Sequence, residues 1–141
     1  MKIIDVEAIE FPVFEYSKRG NYFHSIERSQ FGYATGKGIK NLENEDLSLL
    51  DSQGRQIQLN RFSKGKVLKP KISEIVLFDF RYHLEMELLV LQQLDLESFK
   101  KEILKIISSN RYSLESSGNP NEIIADVKKA NSYRKIIEMF L

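Results

Sequence analysis

Cysteine is absent from this chain of 141 residues, and histidine occurs only twice, as His24 and His83. The first absence excludes disulfides, thiolate metal sites and a cysteine nucleophile. The second leaves no H-x-H or H-x-x-x-H spacing, and no carboxylate triplet stands at metal-ligand spacing, so neither a metal nor another cofactor is expected. Long apolar runs are missing too. The longest candidate, I-V-L-F-D-F at 75–80, is short and broken by charge, against the roughly 18 residues that a membrane-spanning helix requires. The opening M-K-I-I-D-V-E-A-I-E carries acids where a signal peptide needs an apolar core. A chain without cysteine fits a reducing compartment, and a cytoplasmic location is expected. No G-x-S-x-G motif, internal repeat or low-complexity tract is present. T-G-K-G-I-K-N at 35–41 lacks the first glycine and the trailing Ser/Thr of a phosphate loop, and reads as a flexible turn.

What is present suffices for one packed domain over 1–141. Apolar residues make up 42% and aromatics 11%, and a chain of this length buries roughly two thirds of its unfolded surface. The net charge of +1 says nothing about partners, but its distribution is uneven. Between Ser52 and Ser73 there is no acid, while Arg55, Arg61, Lys64, Lys66, Lys69 and Lys71 fall there; just before lie Glu43, Glu45, Asp46 and Asp51.

Period-two alternation dominates the first two thirds. Residues 2–16 read as strand, with a parity switch near Ala8–Ile9 and Pro12 marking an edge strand or its end. S-K-R-G-N is a turn. Residues 21–41 are open between a strand presenting Tyr22, His24 and Ile26 on one face and a short helix over Phe23–Arg28. L-S-L-L-D-S-Q-G-R-Q-I-Q-L-N-R-F is a hairpin, with Asp51 opening the turn and Gly54 supplying positive φ. S-K-G-K-V-L-K-P-K reads as a basic loop with at most a short edge strand. From Val76 to Val90 every even position is apolar (Val76, Phe78, Phe80, Tyr82, Leu84, Met86, Leu88, Val90), whereas Asp79, Arg81, His83, Glu85 and Glu87 occupy odd ones. A helix would scatter these residues around its circumference, so a strand is expected, about 50 Å long if unbroken, its even face against helices. Ile75 and Leu77, on the other parity, suggest burial on both faces at its start. Helices follow at about 95–108, 120–130 and 132–141. Asp95 and Asn119 stand at their caps, Pro120 in a first turn and Glu122 three residues after its cap. Tyr112–Leu114 in the link is a candidate short strand, and the apolar stripe ending in Phe140 and Leu141 predicts a docked tail. The fold class is therefore α+β: an antiparallel sheet of five or six strands over 2–92, packed on one face by two or three C-terminal helices.

The odd row can be the solvated face of an amphipathic strand, a recognition row or an active-site row. Two histidines can serve as acid and base, so a small hydrolase such as a ribonuclease using His24 and His83 is one alternative. A nucleic-acid module using the basic 55–71 segment is another, although that segment holds a single aromatic, Phe62, for stacking. The leading expectation is a protein-binding chain without catalysis. A strand directly after Met1 (K-I-I-D-V-E-A-I-E-F), a meander with a D-S-Q-G turn and a close on amphipathic helices resemble the cytosolic immunity proteins of bacterial contact-dependent and polymorphic toxin systems. The resemblance implies an inhibitor that covers a toxin's active site or an exosite. Glu43, Glu45, Asp46 and Asp51 would then face a basic surface, and Asp79, Arg81, His83, Glu85 and Glu87 would provide a second contact row.

Overall fold

The computed structural model describes residues 2–44, 46–77 and 79–141, with the backbone alone for Asn44 and Arg111. Among the described residues seven strands are formed: β1 (Lys2–Ile4), β2 (Val13–Ser17), β3 (Tyr22–Ile26), β4 (Tyr33–Thr35), β5 (Ser48–Leu50), β6 (Arg55–Val67) and β7 (Arg81–Gln93). Helix α1 (Gly36–Asn44) follows β4, and α2 (Ile72–Leu77) lies between β6 and β7. Helices α3 (Leu96–Ser109), α4 (Arg111–Ser117), α5 (Pro120–Lys129) and α6 (Tyr133–Glu138) close the chain. All strand pairs are antiparallel, in the order β1-β7-β6-β5-β2-β3, with β4 pairing the start of β7. The protein is thus α+β, as the strand-then-helix pattern implies.

Local chemistry explains most boundaries. The D-S-Q-G turn joins β5 to β6, with Gly54 at φ +81°. A Cβ there would also lie 2.6 Å from the Tyr133 ring, so glycine meets two demands at once. Asp95 accepts from the Ser98 amide at the start of α3, and Asn119 accepts from the Asn121 amide ahead of Pro120. Ser132 caps α6 through the Lys135 amide.

Alternation along the strands divides the apolar residues between two cores. Phe14, Tyr16, Phe23 and Leu50 turn to one face of the sheet and pack against Phe99, Ile103, Ile107, Val127 and Ile136 of the helices. Their neighbours Val13 and Leu49 turn the other way and join Ile57, Leu88, Ile4, Ile9 and Phe31. Ile4 of β1 and Ile26 of β3 come from opposite ends of the strand order yet pack in this same cluster, so the sheet is curled around it.

Several expectations are corrected. The long segment does not start as strand: Val76 and Leu77 lie in α2, β7 begins at Arg81, and Phe78 is outside the described residues. Ile75, Val76 and Leu77 are exposed, not buried on two faces. The even row of β7 is inward, with Leu84 and Leu88 buried, but Leu88 packs with the N-terminal segment in the second core and not against α3–α6. Residues 2–16 are two strands separated by a 3-10 turn at Val6–Ala8, and β2, beginning just after the cis Phe11–Pro12 bond, is interior to the sheet. The basic 63–67 stretch continues β6 as strand. T-G-K-G-I-K-N runs into α1, and Tyr112–Leu114 lies in α4. Phe140 is docked, whereas Leu141 is exposed.

Paired substitutions test this register. Leu88→Ala should lower the unfolding free energy by about 3 kcal/mol, because a fully buried side chain is removed. Val76→Ser should change it by less than about 0.5 kcal/mol, measured as urea midpoints, because the side chain is already in water.

Candidate functional site

Two regions carry chemistry beyond packing. The first is a cavity of about 360 Å³ on the inner face of the curled sheet. Its floor contains Phe31, Leu47 and Leu84, all buried, while His24, Gln30, Tyr33 and Asn41 are exposed at its rim. One wall is polar. The β2–β3 register places Glu15 across from His24, and strand alternation turns both to the inner face with Val13 and Ile26. Glu15 Oε1 accepts from the Tyr22 hydroxyl at 3.2 Å and lies 3.8 Å from His24 Nε2. The Tyr22 and His24 rings stack at 5.7 Å between centroids. The Glu15 side chain is only 15% exposed. Burial pushes its carboxyl above the ordinary value of 4.5, against the opposing pull of His24 and the Tyr22 hydroxyl.

The second region is the excursion between β6 and β7. Helix α2 inverts the usual arrangement: Ile72, Val76 and Leu77 are 83%, 68% and 74% exposed, and its acid, Glu74, is buried. The Lys71 amide donates to Glu74 Oε2 at 2.6 Å, and the Arg81 guanidinium pairs with Oε1. The Lys71 amide foremost, then Arg81, hold the Glu74 carboxyl below its ordinary value. Asp79 Oδ1 accepts from the Gly36 amide at 2.9 Å, tying the excursion to the start of α1. Lys66, Lys69 and Lys71, on the chain that leads into it, are exposed.

Against this geometry the nine candidate contact residues separate. Asp51 has no accessible surface; it accepts from the Gln53 and Arg55 amides and from the Arg55 guanidinium at 2.6 Å, and its role is to hold the turn. Asp46 accepts from the Arg19 amide and the Ser17 hydroxyl. Burial opposes its ionisation, but these bonds hold its carboxyl below the ordinary value. Glu43 is exposed on α1, and Glu45 lies outside the described residues. In the odd row, Asp79 and Arg81 are engaged as described, and Glu87 accepts from the Asn60 side chain. His83 and Glu85 are exposed, with His83 5.5 Å from the Tyr33 ring.

The two histidines do not converge. His24 faces the inner core, whereas His83 alternates with the inward Leu84 and Leu88 and so stands on the outer face. That arrangement cannot divide acid and base work between them on one substrate. The basic 55–71 cations are also dispersed. Arg55 is bound to Asp51, Arg61 lies opposite Glu87 on the outer face, and Lys64 sits over the Tyr82 ring on the inner side. Among the described residues no group of His, Asp and Glu is placed to hold a metal ion, and no helix is long and apolar enough to cross a membrane. No protein-family model, curated protein or solved structure matches the chain.

Sequence reasoning placed Tyr22 and His24 on one face of a candidate strand but passed over Glu15 as their partner. The available signal was the acid in V-F-E-Y-S, sharing the parity of Val13, with His24 across the S-K-R-G-N turn. Two substitutions test these assignments. Asp51→Ala should cost about 3 kcal/mol in a denaturant titration, since it leaves the Arg55 charge without its buried partner. For Glu15, the raised value means that the folded state favours the protonated form. Its contribution to stability is thus present below the ordinary value of 4.5 and is lost as pH rises through the raised value. Glu15→Gln should accordingly raise Tm at pH 7, and the difference should close in scans below the ordinary value of 4.5.

Proposed function

We propose that this chain is a protein-binding inhibitor that docks through α2 and its lysine surround. The observation that carries the reading is the inversion of α2, whose apolar residues stand in water while its acid is anchored inward by Arg81 and the Lys71 amide. Ile72, Ile75 and Val76 fall at i, i+3 and i+4, so one helical face presents them together. An apolar patch with a polar margin is the usual mark of a protein interface. The exposed Lys66, Lys69 and Lys71, which lead into α2, set the partner's chemistry: an apolar centre bordered by acids. The outer-face His83 and Glu85 lie on the strand that α2 leads into, and they supply a margin of mixed charge.

The finer reading, an immunity protein that neutralises a cognate bacterial toxin by covering its active site or an exosite, is supported by the layout resemblance. It needs no catalytic group on this chain. The acidic 43–51 segment is a poorer docking surface than the sequence suggests, because Asp51 is buried and Asp46 is engaged.

Co-expression with a toxin domain encoded beside this chain tests the proposal. The wild-type chain should copurify with the toxin and restore growth. Ile72→Ser combined with Val76→Ser and Leu77→Ser should weaken binding by about tenfold or more at unchanged Tm. Lys66→Glu with Lys69→Glu should slow association chiefly at low salt. A wild-type chain that neither binds nor protects, or a triple variant that binds as the wild type does, would overturn the proposal.

A further inference from the structure

The cavity on the inner face combines two properties that ordinary packing defects lack. It has a mostly apolar lining, and it holds a carboxylate largely removed from water. No lysine or arginine is among its described lining residues. Among the described lining residues the titratable neighbours of Glu15 are Tyr22 and His24 from β3, while Tyr33 of β4 stands at the rim opposite His83; α1 contributes Asn41 and Leu42, and β7 contributes Leu84 and Met86. Among the described lining residues only His24 can supply positive charge, and at 3.8 Å with an exposed ring it is a distant partner. Both described contacts to the carboxylate fall on Oε1, so Oε2 carries neither of them. A buried carboxylate is costly unless a cation meets it, and here no lysine or arginine is among the described residues that line the pocket.

We propose that this cavity binds a small organic amine, its ammonium group paired with Glu15 and its apolar body seated over Phe31, Leu47 and Leu84. Tyr22 and His24 hold the carboxylate in place, the first by its hydrogen bond and both by their stacked rings. The aromatic faces at the cavity also suit a cation, which gains by lying against rings in a partly desolvated site. At about 360 Å³ the space is at the small end of ligand pockets, which limits the body to the size of a phenyl or branched alkyl group. The raised Glu15 value is consistent with a carboxyl that lacks a counter-ion until ligand arrives.

The full chain, isotopically labelled, would be titrated with phenethylamine and 3-methylbutylamine, and in parallel with 2-phenylethanol and 3-phenylpropionate as neutral and anionic controls. The amines should shift the amide resonances of Gly32, Ala34 and Gly38 and bind about tenfold or more tightly than the alcohol, with the carboxylate weakest. Glu15→Gln should retain the wild-type spectrum elsewhere and bring amine affinity down to that of the alcohol. Equal binding of amine and alcohol, no shift with either amine at about 10 mM, or unchanged amine affinity in Glu15→Gln would each overturn the proposal.

Discussion

The carboxylate of Asp51 is the point on which the two halves of this molecule converge. It is inaccessible to water, and it accepts from the amides of Gln53 and Arg55, from the Glu10 amide at 3.4 Å, and from the Arg55 guanidinium. Arg55 also donates to the Ala8 carbonyl, so one ion pair joins the β5–β6 turn to the segment between β1 and β2. The same turn is tied to the end of β7, where the Leu94 amide donates to the Gly54 carbonyl, and Leu94 in turn accepts from the Tyr133 hydroxyl. A buried charge pair is strong in this sense only while complete: each lone pair here has a donor, and removing either partner strands the other.

From that anchor, strand alternation distributes the rest. Leu49 and Leu50 are adjacent, yet one enters the inner cluster and the other the helix-covered one. The C-terminal helices occupy one face over β5, β2 and β3. The N-terminal turns and the curl of the sheet enclose the other. A curled sheet holding side chains of β1, β3 and β7 in one cluster leaves space towards the β4 end, and that space is the cavity containing Glu15 and His24. The β6–β7 ribbon meanwhile carries α2, whose Ile72, Ile75, Val76 and Leu77 belong to neither core and stand exposed.

The sequence was most legible where a local rule decides the outcome. The D-S-Q-G hairpin, the Asp95 and Asn119 caps and the inward even row of β7 each follow from short-range geometry. It was least legible where distant contacts decide. Val76 continued the alternating pattern by coincidence, because a six-residue helix is too short to display a helical period, and α2 is held by the Glu74–Arg81 pair rather than by its own propensity. Alternation stated that Leu88 is inward but not which layer covers it; that depended on Ile4 and Ile9 arriving from the far end of the chain. Asp51 looked like a surface acid because turn carboxylates usually are, and the Arg55 fork that buries it is a matter of side-chain reach. Glu15 was hidden for the opposite reason, since one acid in an apolar strand gives no hint that the sheet will curl around it.

The terminal strand of the sheet, β3, is bounded on one side only by β2. Its outer margin is met by the end of α6 and the turn after it: the Ser25 amide donates to the Phe140 carbonyl, and the Ser25 hydroxyl to that of Ile137. An uncovered strand margin is a template on which a second chain can add by backbone pairing. Packing of the last helix therefore has a role apart from burying apolar surface. It engages the Ser25 amide, a donor on that margin which would otherwise be open to a second strand.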